Sequence, residues 1–129
     1  MSPGVILVVE DNPKNLKLVR DVLSFAGYDV IEAGSAESGL ELAAERQPDL
    51  VLMDLQLPGM DGMEAVQVLK AEERTREIPV VALTAFAMAD DRDRAMAAGF
   101  DSYVAKPVSP GVLRAVADRY LERSEEPHV

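Results

Sequence analysis

Five side chains in this sequence have the chemistry to handle a phosphoryl group: Glu10 and Asp11 as a pair, Asp54, Thr84 and Lys106. Each stands at or just past the end of an apolar run, in VILVVED, LVLMD, VVALT and YVAK. Taken singly, each has an ordinary explanation. A strand-end aspartate is commonly a turn residue, Glu10 and Asp11 can cap a helix, and a Lys-Pro step often ends a strand. Their coincidence on one edge points elsewhere, because clustered carboxylates raise one another's pKa unless a cation neutralises them. The sequence has no cysteine, and its one histidine is His128, so the ligands on offer are oxygens. Such a set suits a hard divalent ion, Mg²⁺ or alternatively Mn²⁺, which keeps several waters and an open face. A carboxylate nucleophile, a metal, a lysine and a hydroxyl are the parts needed to form an aspartyl phosphate. Asp54, the central acid, is the expected nucleophile.

The elements that must carry these residues alternate between short β-branched runs and longer stretches of helical periodicity. Strands are expected at residues 5–10, 28–33, 49–54, 78–85 and 102–106. The first, third and fourth are nearly continuous apolar runs, as in central parallel strands covered on both faces. The first helix, PKNLKLVRDVLSFAG, follows Asp11 and Asn12, turns Leu16, Val19, Leu23 and Ala26 inward, and stops at Gly27. The second starts at Ser35, buries Leu40, Ala43 and Ala44, and is ended by Pro48. The third, residues 62–73, turns Met63, Val66 and Leu69 inward. The fourth, residues 89–98, has the inner face Ala95, Met96 and Ala98, and should be the most weakly docked because alanine buries little area. The fifth, residues 109–123, presents Leu113, Val116, Ala117, Tyr120 and Leu121. Five such units give an α/β fold with a parallel sheet and helices on both faces, and ligands then bind beyond the carboxyl ends of the strands. With the first and third strands adjacent, about 4.8 Å apart, the three carboxylates become neighbours.

Composition narrows the function classes. A chain of 129 residues with 48% hydrophobic content supports one domain. We expect a single domain over 1–129, with its core at 4–123 and a frayed tail at 124–129. The formal charge of −10 argues against direct nucleic-acid binding. The N-terminus MSPGVILVVED has neither a basic leader nor a span-length apolar run, so no membrane insertion and a cytoplasmic location are expected.

The pieces VVEDN, LVLMDLQLPGMDG, ALTAFAM and YVAKPVS, in this order and spacing, resemble the receiver domains of two-component response regulators from about residue 4 to residue 123. The resemblance implies a flavodoxin-like (βα)5 fold with strand order 2-1-3-4-5. It implies that Asp54 accepts phosphate from a phosphohistidine on a sensor histidine kinase or a histidine phosphotransfer protein. Glu10 and Asp11 would hold Mg²⁺ with Asp54 and the Gln56 backbone carbonyl. Thr84 and Lys106 match the switch hydroxyl and the phosphate-binding lysine, Tyr103 matches the switch aromatic, and a cis bond is expected at Lys106-Pro107. The stretch ALTAFAMADDRDRAMAAGFDSYVAKPVS is similar to single-domain regulators of the DivK kind and to receivers of hybrid kinases. Two departures from the family pattern are the Glu-Asp pair in place of Asp-Asp and the bulky Phe86. With Gln56 and Phe86 flanking the phosphorylation position, slow spontaneous loss of phosphate is expected.

Such a protein is no enzyme beyond its own phosphorylation and dephosphorylation. Nothing after residue 123 reads as an output domain, so signal should pass to a protein partner through the fourth helix, fifth strand and fifth helix. The charges Asp90, Asp91, Arg92, Asp93 and Arg94 are either contacts there or a solvated face. A receiver excised from a larger hybrid kinase or regulator is the alternative. A flavin carrier fits poorly, since EDNPKN sets carboxylates where a phosphate would sit. An aspartate-nucleophile phosphatase lacks its acid, because Gln56 stands two residues after Asp54.

Overall fold

The computed structural model describes residues 4–57, 59–85 and 89–122. Phe86 and the expected tail 124–129 lie outside the described residues, as do the side chains of Asp90 and Asp91. The chain alternates β1 (Val5–Val9), α1 (Pro13–Phe25), β2 (Asp29–Ala33), α2 (Ala36–Arg46), β3 (Leu50–Asp54), α3 (Gly62–Ala71), β4 (Val80–Thr84), α4 (Ala89–Ala98), β5 (Ser102–Ala105) and α5 (Pro110–Ala117). The five strands form one parallel sheet in the order β2-β1-β3-β4-β5. β1 and β3 are therefore neighbours, with Val9 opposite Met53.

Period-two alternation divides the core between two faces. Leu7, Val9, Val51, Met53, Val80 and Ala82 pack with α2, α3 and α4 side chains such as Ala43, Val66 and Ala95. Ile6, Val8, Leu50, Leu52, Val81 and Leu83 pack on the other face with Val19, Leu23, Leu113 and Ala117 of α1 and α5. The central strands are covered on both sides, which is why their sequences are continuous apolar runs rather than alternating ones.

Several expected boundaries shift. β1 ends at Val9 and β5 at Ala105, one residue early, although Glu10 N–H still donates to the Ala33 carbonyl and Lys106 N–H to that of Thr84. β4 starts at Val80 rather than 78, because Ile78 is held in a turn by the Thr75 carbonyl. α3 stops at Ala71, where Thr75 Oγ1 takes the Leu69 carbonyl at 2.7 Å and satisfies one of the orphan acceptors at the helix end. The fifth helix is α-helical only through Ala117 and continues as a π-helical turn, Asp118–Glu122. That wider turn opens at Asp118, whose carboxylate accepts the hydroxyl of buried Tyr28, and it keeps Leu121 in the core.

Met96 is a correction. It was expected on the inner face of α4 but is 43% exposed, while Ala95 is buried and Ala98 partly so. At 100° per residue, a helix that turns Ala95 and Ala98 inward carries Met96 round toward solvent.

Candidate functional site

The site begins with the helix caps. Asn12, not Asp11, is the N-cap of α1, its side chain accepting from the Lys14 and Asn15 amides at 2.9 and 3.2 Å. Asp11 is thereby released from capping and stands exposed at the rim. Glu10 is buried, and its Oε2 accepts the Asn12 amide at 3.2 Å. The ordinary explanation of the acidic pair as helix caps thus fails for both members.

Asp54 closes β3 at 2% exposure, and the next strand is in register with it at Leu83. Its Oδ1 accepts the Gln56 backbone amide at 2.9 Å, which fixes the carboxylate plane. The following loop is drawn close by Gly62: a Cβ there would meet the Asp54 carbonyl oxygen at 2.8 Å and Leu55 Cα at 2.9 Å. No larger residue allows the start of α3 to approach the end of β3 this closely. A glycine at the first position of a helix contributes no packing side chain, and its presence there was the one sequence signal for its role. Asp61 caps α3 through a reciprocal box with Glu64, which anchors the far side of the loop.

Lys106 reaches across the sheet from β5. Its Nζ lies 2.8 Å from Asp54 Oδ2 and 3.2 Å from Glu10 Oε1. The Lys106-Pro107 bond that follows is cis, as expected. One oxygen from each of Glu10, Asp11 and Asp54 can be chosen so that all lie within 4.8 Å of one another. Residues from the ends of three strands therefore converge.

The electrostatics show an imbalance of charge. Burial, then the Asp54 charge and a hydrogen bond with Asp54, raise the Glu10 carboxyl above its ordinary value, against the opposing pull of the Asn12 amide and Lys106. Burial works to lower Lys106, but the hydrogen bond and charge of Asp54, followed by those of Glu10, outweigh it and raise the amine. One ammonium faces two buried carboxylates and a third at the rim. The residues present fit a hard divalent cation: the donors are all oxygens, they are close enough to share one ion, and Glu10 is held in a state that further positive charge would relieve.

Thr84 ends β4 at 3% exposure, and by alternation it shares a sheet face with Ala82 rather than with Leu83. Tyr103 is on that same face, half-buried and opposite Ala82 in the register. Gln56 is exposed, and its amide rather than its carbonyl is the group seen to touch Asp54. Sequence reasoning had not linked Arg92 to Tyr103. Arg92 Nη1 donates to the Tyr103 hydroxyl at 3.3 Å, and no local spacing rule connects a helix residue with a strand residue eleven positions later.

A doubly wound sheet in this order, with an acidic pocket at the carboxyl ends of β1 and β3, defines a class. The response regulator receiver domain model matches residues 6–118, and the chain belongs to that family. Within it, the chain is similar to the polar-differentiation response regulator DivK of Brucella ovis, at 46% identity over 104 residues, 81% of this chain and 85% of that protein. Among solved structures, a response regulator from Chloroflexus aurantiacus superposes with a TM-score of 0.89 at 30% identity, covering 95% of this chain and all of that one. The receiver domain of a sensor histidine kinase from Pseudomonas aeruginosa superposes with a TM-score of 0.85 at 35% identity, over 91% and 96% of the two chains. That protein was solved with a magnesium ion coordinated in its active-site cleft. The expected two-component receiver and its strand order both hold.

Proposed function

We propose that this chain is a phosphoacceptor switch whose acceptor is Asp54, loaded from a phosphohistidine on a kinase or phosphotransfer protein. The observation that carries the reading is the convergence of Asp54, Glu10 and Lys106 within hydrogen-bond distance, beside Asp11. An Asp54 carboxylate oxygen attacks phosphorus, the P–N bond to the donor imidazole breaks, and the leaving nitrogen keeps the electron pair and takes up a proton. Lys106 Nζ, 2.8 Å from Asp54, is placed to neutralise charge on the incoming phosphoryl oxygens. The Gln56 amide holds the carboxylate in a fixed orientation. Mg²⁺, and alternatively Mn²⁺, would be held by Glu10, Asp11 and Asp54, with the Gln56 carbonyl as a further ligand, and would supply Lewis-acid stabilisation of the same oxygens.

Phosphorylation adds charge and acceptor oxygens at the end of β3. Thr84 then moves its hydroxyl toward the phosphoryl group, and Tyr103, on the same sheet face, follows inward. The altered surface of α4, β5 and α5 is read by a protein partner. The chain turns over no substrate besides its own phosphoryl group. Its proposed place of action is the cytoplasm; among the described residues no helix is long and apolar enough to cross a membrane.

The test is mass measurement after incubation with Mg²⁺ and a small phosphodonor such as acetyl phosphate. The wild type should gain one phosphate and Asp54→Asn none. Equal uptake by both proteins would falsify the assignment.

A further inference from the structure

α4 and β5 are joined at the surface by a pair that the phosphoryl chemistry does not use. The exposed Arg92 guanidinium donates to the Tyr103 hydroxyl at 3.3 Å, and its Cζ stands 5.6 Å from the centre of the Tyr103 ring. One side chain therefore engages the tyrosine twice, at its polar tip and through its ring. The ring is half-buried against the core face shared with α3 and α4, and its register partner is the small Ala82.

We propose that Arg92 is a positioning residue for the switch, holding Tyr103 at the surface and so weighting the resting protein against the inward arrangement. The proposal rests on the reading of Tyr103 as the switch aromatic. The inward move requires the hydroxyl to give up its donor and the ring to leave the guanidinium. Both losses fall on one state only, and a contact made in one of two states shifts their ratio. A cation over a ring together with one exposed hydrogen bond corresponds to roughly a fivefold bias. Its role is to set how much phosphorylation is needed, not to carry out the transfer.

The experiment is NMR of the protein labelled with fluorotyrosine, the Tyr103 signal being assigned by its loss in Tyr103→Phe. Beryllofluoride with Mg²⁺ serves as the phosphoryl analogue. In the wild type, adding it should move the Tyr103 signal. In Arg92→Ala the unliganded signal should already lie toward the bound position, with the inward-to-outward ratio raised about fivefold, and the apparent affinity for beryllofluoride should rise by a similar factor. Arg92→Lys keeps charge but loses the planar fork, so it should fall between the two. Tyr103→Phe keeps the ring contact and loses the hydroxyl bond, and should raise the affinity by less than Arg92→Ala. If the wild-type signal moves but Arg92→Ala changes neither the resting signal nor the affinity, the role of Arg92 is refuted and that of Tyr103 stands. A wild-type signal unmoved by beryllofluoride, under conditions where a titration shows it bound, refutes both.

Discussion

Lys106 sets one positive charge against the two buried carboxylates of Glu10 and Asp54, and the remaining imbalance settles on Glu10, whose pKa is raised. A carboxyl raised on folding binds its proton more tightly in the native than in the unfolded chain. Its contribution to stability is therefore greatest at acid pH and declines as pH rises from the ordinary carboxylate value through the raised one. Above that window the ionised group is a cost. In chelator, Glu10→Gln should melt above the wild type at neutral pH, and the gap should close as pH falls toward the ordinary carboxylate range. A variant less stable than the wild type at neutral pH would show that the ion pair with Lys106 outweighs burial and the Asp54 charge. The types of these residues were legible in the sequence because each ended an apolar run. Their division of labour was not, since only the fold shows Asn12 taking the cap and freeing Asp11, or the Gln56 amide turned toward Asp54.

At the scale of elements, the loop from β3 to α3 fixes the acceptor, and Gly62 sets how close the two elements lie. The Cβ of Gly62→Ala would sit 2.8 Å from the Asp54 carbonyl, against backbone that has little freedom to give. Overpacking of this kind costs about 1–3 kcal/mol, and urea denaturation should show it. The same variant should take up phosphate more slowly at equal Mg²⁺, because the displaced atoms belong to the acceptor residue itself. Unchanged stability would mean that the helix start shifts freely. Strands and helices were readable from period and caps, and Ser35 and Gly27 mark ends where the sequence put them. Met96 was misplaced because the four alanines of α4 give no strong stripe to fix its rotation, and the π-helical turn because it depends on the distant Tyr28. Tertiary contacts decided both.

For the whole molecule, the sheet brings into one pocket residues as far apart in sequence as Glu10 and Lys106, so an ion held by the proposed ligands would tie β1 and β3 together beside β5. Mg²⁺ should therefore stabilise the native state globally, by about 2.7 kcal/mol at a hundredfold excess over its dissociation constant, or roughly 10 °C in Tm. Glu10→Gln should reduce that shift, and a wild-type Tm indifferent to Mg²⁺ would show that the pocket does not bind the ion. The strand order that makes this pocket was implied by family resemblance, whereas periodicity alone gave five strands without their arrangement. The phosphoryl group is expected to reside on Asp54. Borohydride reduction of the protein after incubation with Mg²⁺ and acetyl phosphate, followed by peptide mass mapping, locates it. Reduction of an acyl phosphate converts an aspartyl residue to homoserine. Homoserine is expected at position 54, with no other acid reduced. Homoserine at position 11 or 61, 5-hydroxynorvaline at position 10, the product of a reduced glutamyl phosphate, or no homoserine at 54 in protein carrying a phosphate, would contradict it.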